Sequence, residues 1–481
     1  MNHSPGRPRA LCGGRQAGIS MRVDNGVTAR NAAGARLQGR SLIPAVAAIL
    51  LLLGAQAARP APTLEHWQTA AGSQVFFVES HELPMVDVRL LFDAGTVREP
   101  AGRNGLAVLT NSLLDEGAGE MDATAISFEF ERLGAQYGAA SGYDYASVSV
   151  RSLSDPALLE PALQNLRRVV AEPAFPGKAV ERQKQRLLVA IERKRQSPGE
   201  IARDAYHAAI YGDHPYALPN DGTLDSVMSV QRRDIVNFHR DRYGARNARL
   251  VIVGDLDREQ AEALAGELTA GLPRGRAPEP FPALTPVEQG GEIRVEHPSS
   301  QVHILLGQPG IRRGDPDYFP LYVGNHILGG GGFVSRLYEE VREKRGLSYG
   351  AYSYFSPRRG PGPFTASLQT RGDQQEQALQ VMRDTIRDFI DRGPTQAELE
   401  AAQNNISGGF PLRLDSNGKI LGYIAMIGFY DLPRDYLDTF VDKVNAVTIE
   451  QIRDAFKRRL QPERFVTVMV GPNPPAAREA D

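Results

Sequence analysis

Cysteine is almost absent: the 481-residue chain has one, Cys12. A lone thiol cannot close an intramolecular disulfide, so stability must come from core burial, which a chain of this length can supply. An excess of one charge is lacking too. Fifty-five Lys and Arg against 57 Asp and Glu leave a formal net charge of −2. That gives no basic footprint for nucleic acid and no acidic tail. Also missing is an apolar run long enough to span a bilayer: Ser41–Gly54 supplies roughly 13 apolar residues where ~20 are needed. What remains is ordinary globular composition, 42% hydrophobic and 23% charged, on a chain long enough for two to four domains.

Residues 1–57 read as an export signal. An Arg- and Gly-rich start with few acids leads into the short apolar stretch, then Ala55-Gln56-Ala57, an A-x-A cleavage pattern. Cleavage after Ala57 would remove Cys12 and deliver a thiol-free chain to a bacterial periplasm or the exterior. The alternative is an uncleaved N-terminal membrane anchor.

The rest is built twice. The first half begins with the alternating strand Val86–Phe92 and the second with Val302–Gly307. Leu133–Ala139 matches Arg345–Ala351, and period-2 strands follow each, Ala146–Val150 and Phe364–Leu368. Next come helical patterns at Leu158–Val170 and Gln374–Phe389. Each half then closes with a helix and an apolar strand ending in Val-Gly: Val230–His239 with Leu250–Gly254, and Val447–Phe456 with Phe465–Gly471. Runs of strands between long helices predict an α+β fold: two homologous domains, each a mostly antiparallel sheet packed with helices, facing each other as a clamshell. The predicted boundaries are 62–276 and 291–473. A proline-rich linker at 277–290 joins them, and 474–481 is a tail.

Ordered motifs along this repeat resemble the insulinase, pitrilysin and mitochondrial-processing-peptidase family of inverted (M16-type) zinc peptidases. Phe92–Glu99 is similar to its first strand and G-S-R-x-E turn, and Gly105-Leu106-Ala107 to the lead-in of its zinc helix. His214-Pro215-Tyr216 with Asp221-Gly222-Thr223 is similar to its H-P-Y-G…G-T loop. Leu328–Leu337 is similar to its glycine-rich loop, and Val341–Tyr349 to its L-R-E…G-L-x-Y segment.

Catalytic members carry H-x-x-E-H, two zinc-binding histidines and a general-base glutamate on one helix. Here Val108 and Ser112 stand at the histidine positions and Asn111 at the base. Ala190 falls at the third ligand position; Glu192 is two places away, on another side of its helix. Valine has no lone pair, a serine hydroxyl is a poor zinc ligand, and an amide cannot take a proton from water. The histidines show no alternative ligand spacing. The expectation is that this chain binds no metal or other cofactor and does not hydrolyse peptides alone. Ser112 lacks a G-x-S-x-G elbow or a neighbouring histidine, which argues against a serine hydrolase.

The second half retains what the resemblance implies is the other side of the site. Arg342 and Tyr349 are implied to stabilise the oxyanion, with Arg345 as the rival arginine. Gly329, Gly330, Gly331 and Gly332 form a loop implied to contact substrate. The resemblance further implies a hetero-oligomer with a zinc-bearing subunit of the same family acting on unfolded peptides, which would bind as extended strands at a sheet edge. The alternative is a non-catalytic peptide-binding or assembly protein of the cell envelope.

Overall fold

The computed structural model describes residues 63–277, 279–285 and 290–473. The predicted signal, Cys12 and the tail lie outside the described residues. Among the described residues, no helix is long and apolar enough to cross a membrane.

Alternation in the sequence becomes two sheets. The first contains β1 (Glu65–Gln68), β2 (Gln74–Glu79), β3 (Met85–Phe92), β6 (Gln136–Ser141), β7 (Ala146–Leu153) and β8 (Ala248–Gly254), with a small hairpin of β4 (Gly117–Ala118) and β5 (Met121–Asp122) alongside. Its order is β1-β2-β8-β3-β7-β6. The second contains β9 (Gly291–Glu296), β10 (Gln301–Pro309), β11 (Ser348–Phe355), β12 (Pro363–Arg371) and β13 (Val466–Gly471), ordered β11-β12-β10-β13-β9. Only β2 with β8 and β13 with β9 run parallel. The fold is α+β with mostly antiparallel sheets, as expected.

Several strands escaped the sequence pattern: β1, β2, β6, β9 and the short hairpin of β4 and β5. Strand β2 is a continuous apolar run, Val75-Phe76-Phe77-Val78, buried on both faces, so it shows no period of two. Strand β9 is almost wholly exposed and is held only at the sheet edge by β13. The predicted helices at Val230 and Val447 begin two residues later, at Arg232 and Ile449. Thr448 explains the second shift: its Oγ accepts from Gln451 N at 3.2 Å while Gln451 Oε1 accepts from Thr448 N at 2.9 Å, a reciprocal cap that fixes the start.

Four helices position the functional groups: α1 (Leu106–Ser112), α2 (Gly177–Lys194), α3 (Pro198–Tyr211) and α4 (Asn417–Phe429). Two of them change sides. Helix α3, from the first half, packs on β10 and β13 of the second sheet; α4, from the second half, packs across β8, β3 and β2 of the first. Phe76, Val78, Val251 and Val253 thus share one core with Ile424, Ile427 and Phe429. Tyr206 and Ile210 share another with Val466, Val468 and Val470. Each buried aromatic or branched side chain contributes about 1.5–3 kcal/mol, so the exchange binds the lobes far more firmly than a tether would.

Polar bonds finish the joint. Asp144, buried in the β6–β7 turn, accepts from the Tyr216 hydroxyl, from Arg359 N at 2.9 Å and from Tyr430 Oη at 2.8 Å. The segment between the halves is fastened as well. Arg98, paired with buried Asp93 at 2.7 Å, donates to the carbonyls of Glu279 (2.7 Å) and Pro280 (3.0 Å). The Phe281 ring packs on His214 and Tyr216.

Candidate functional site

Helix α1 starts where the family-like motif places it. Gly105, at φ 92°, precedes it, a conformation that favours glycine. A Cβ there would come within 2.7 Å of the Asp221 carbonyl oxygen. A Glu99 carboxyl oxygen accepts from Ala107 N at 2.7 Å, satisfying one of the free N–H groups at the start of the helix. Burial nevertheless pushes the Glu99 carboxyl up to about 8.

The side chains on α1 are already occupied. Asn111 is 2% exposed; its Nδ2 donates to Ser147 O at 3.4 Å and its Oδ1 accepts from buried Tyr243 Oη at 3.1 Å. Ser112 Oγ donates to Leu109 O at 3.1 Å. Val108 is half-buried and apolar. Helix α2 lies antiparallel beside α1: Gln183 reaches Glu116, past the end of α1, at 2.6 Å, while Lys194 meets Asp221 at its beginning. Ala190 therefore lies alongside α1, on the exposed face of α2, with Ile191 buried behind it. Glu192 turns to solvent and pairs with Arg195 at 3.5 Å. These residues do not fit a zinc ion. Among the described residues, no group of three or more His, Cys, Asp or Glu could hold a metal.

In the second lobe the glycine-rich stretch is partly helical rather than a free loop. His326–Gly330 forms a π turn, Gly332–Val334 a 3₁₀ turn, and Glu339–Glu343 a second π turn carrying Arg342. Such turns concentrate at functional sites. The glycines also have packing reasons. A Cβ on Gly329 would lie 2.4 Å from Ser353 N, and one on Gly331 2.6 Å from His326 O. Gly332 adopts φ 65°. The region between Gly330 and Arg342 exposes Phe333 and Val334 to solvent.

Arg342 makes no ion pair among the described residues. Two nearby acids are bound elsewhere: Glu339 and Glu340 bind Lys344 at 3.0 and 2.6 Å, and Glu340 also binds Arg345 at 2.6 Å. That removes Arg345 as the free arginine. The Arg342 guanidinium instead lies 4.8 Å from the Tyr338 ring and 4.4 Å from the Tyr349 ring, and bonds the Tyr338 hydroxyl. Aromatic faces hold a guanidinium in place without neutralising it. Tyr349 is 84% exposed. An irregularity in the pairing of β11 with β12 between Ser348 and Ala351 puts Tyr349 among the exposed residues of this strand with Tyr352 and Tyr354, as bulges commonly re-aim side chains.

All three tyrosines line a cavity of 620 Å³ between the lobes, together with Tyr143, Lys194 and His207 of the first half. The sequence reading missed this tyrosine row, although Tyr349-x-x-Tyr352-x-Tyr354 is visible once a bulge is allowed. The degenerate positions Val108, Asn111, Ser112 and Ala190 do not line it. His207 is buried and bonded to Tyr143 Oη at 3.0 Å; burial and the Arg358 charge depress it to about 3, so it is neutral at ordinary pH.

Two family models match the chain: Insulinase (Peptidase family M16) over residues 74–223 and Peptidase M16 inactive domain over residues 229–406. The chain belongs to peptidase family M16. Among solved M16 structures, a peptidase M16 inactive domain from Pseudomonas fluorescens superposes with a TM-score of 0.83 at 40% identity, covering 85% of this chain and 98% of that one. The "non-peptidase homolog YmxG" of Helicobacter pylori is 25% identical, covering 85% of this chain and 94% of that protein. An "uncharacterized zinc protease YmxG" of Bacillus subtilis is 22% identical over 84% and 97%. A chain of Complex III2 from Candida albicans shares the fold, with a TM-score of 0.71 at 16% identity over 85% of this chain and 95% of that one.

Proposed function

We propose that this chain is the non-zinc subunit of a two-subunit M16 peptidase, exported and inactive alone. The observation that carries this reading is the un-neutralised Arg342 guanidinium stacked on an 84% exposed Tyr349. Its guanidinium is held by rings rather than against a carboxylate. The arginine fork and phenol are suited to donate to the oxygen of a peptide carbonyl as charge develops there. Zinc would belong to the partner, whose metal site supplies the hydrolytic chemistry that Val108, Asn111, Ser112 and Ala190 cannot. The names borne by the Pseudomonas and Helicobacter relatives support an inactive role for this chain. The peptide would lie as an extended strand. Strand β6 ends its sheet with the small residues Gly138, Ala139 and Ala140 partly open, whereas β11 is covered at Ser353 O by Asn325 at 2.9 Å. Gly329–Gly332 contact substrate in this reading. A purely architectural role leaves Arg342 and Tyr349 without a task.

The test is reconstitution. The mature chain alone should carry no zinc and leave a quenched peptide intact. Mixed with a zinc-bearing M16 subunit from the same organism it should restore cleavage. Arg342→Ala or Tyr349→Phe should lower that rate by about 10²–10³-fold. Equal rates for wild type and both variants would instead assign the chain to assembly.

A further inference from the structure

A second cavity, of 610 Å³, adjoins the first along β11, and Tyr352, Tyr354 and Ser367 border both. It lies entirely in the second lobe. Its lining contains two arginines, Arg313 and Arg413, the imidazole of His326, whose pKa burial and the Arg413 charge lower, and no carboxylate. The acids closest in sequence are engaged elsewhere. Asp315 and Asp317 are bound by Arg459 and Arg458 at 2.6–2.8 Å, and Asp415 by Lys419 at 2.8 Å.

The basic groups are left with unused donors. Among the described residues neither arginine forms an ion pair. Arg413 Nη1 donates to Tyr322 Oη at 2.7 Å, while Arg313 Nε is buried without an acceptor, its guanidinium 5.7 Å from the Tyr430 ring. His326 Nε2 is buried and unpartnered as well. Buried donors left without acceptors are costly, more so on charged groups, and an anion would satisfy them. A carboxylate matches the planar fork of a guanidinium, and the flanking tyrosine rings suit an apolar neighbour on the same ligand.

We propose that this cavity binds a carboxylate of the peptide handled by the adjoining inter-lobe cavity, either a free C-terminus or an Asp or Glu side chain. The site thereby selects among peptides by charge. It rests on the reading that this chain handles peptides, but not on the existence of a zinc-bearing partner.

Binding to the mature chain alone tests it, by fluorescence anisotropy with short labelled peptides sharing one aromatic-apolar body. One has a free C-terminus; the others are amidated and carry either Glu or Gln internally. At least one carboxylate-bearing peptide should bind about tenfold or more tighter than the neutral one, the equivalent of about 1.4 kcal/mol. Whichever shows the gain identifies the source of the carboxylate. Arg313→Gln and Arg413→Gln should each abolish the gain, whereas Arg392→Gln, at an exposed arginine lining neither cavity, should preserve it. Arg413 also anchors Tyr322, so melting curves accompany each variant; Arg313, whose side chain makes no hydrogen bond to another side chain among the described residues, decides the matter if Arg413→Gln unfolds. Equal affinity for all peptides, a gain that survives both arginine variants, or no binding at all overturns the proposal. Loss of partner-dependent cleavage with the carboxylate gain intact would sink only the two-subunit reading.

Discussion

Asn111 stands where a catalytic glutamate would be, yet it is not a vestige. Its amide bridges β7 at Ser147 and the buried Tyr243 hydroxyl, so it now stitches α1 into the first sheet. Asn111→Ala should strand the Tyr243 hydroxyl and destabilise the fold by about 1–3 kcal/mol, read as a lower urea midpoint at unchanged slope. The lack of zinc-ligating side chains at residues 108, 111, 112 and 190 was legible because ligand capacity belongs to the side chain itself. The new employment of Asn111 was not legible. Its partner is 132 residues away, and no local pattern announces a hydrogen bond across that distance. Arg342 shows the same divide: its identity and spacing were readable, while its freedom from Glu339 and Glu340 needed coordinates.

Among elements, period-2 and 3.6-residue patterning disclosed most strands and helices in both halves, because one face of each meets a core. Patterning cannot say whose core. Helices α3 and α4 are amphipathic or apolar in sequence, and nothing local reveals that each lies on the other half's sheet. The glycine-rich stretch was similarly ambiguous, since composition cannot separate a loop from a π turn that needs bare backbone beside Ser353. The exchange makes a strong prediction at Phe429, which is fully buried with Arg249 and Arg359 over its ring. Phe429→Ala should cost about 3–5 kcal/mol. Denaturation followed by far-ultraviolet circular dichroism and by tyrosine fluorescence should still give one coincident transition; two separated transitions would mean that the lobes are independent.

For the whole molecule, stability should have an optimum in pH. Burial depresses His239 to about 4, and burial with the Arg358 charge depresses His207 to about 3, against 6.5 unfolded. Below about 6.5 the unfolded chain therefore takes up protons that the folded chain refuses, and acidification favours unfolding. Glu99 acts oppositely: the folded state keeps its proton up to about 8, the unfolded state only to 4.5, so raising pH across that window weakens the fold. The melting temperature should fall on both sides of a maximum near neutrality, and Glu99→Gln should flatten the alkaline side. The exchanged helices also bear on biosynthesis. When the first half leaves the ribosome, the sheet face carrying Phe76, Val78, Val251 and Val253 has nothing to cover it until residues 417–429 have been made. A polypeptide truncated before residue 417 would present that sticky surface to its neighbours and should aggregate.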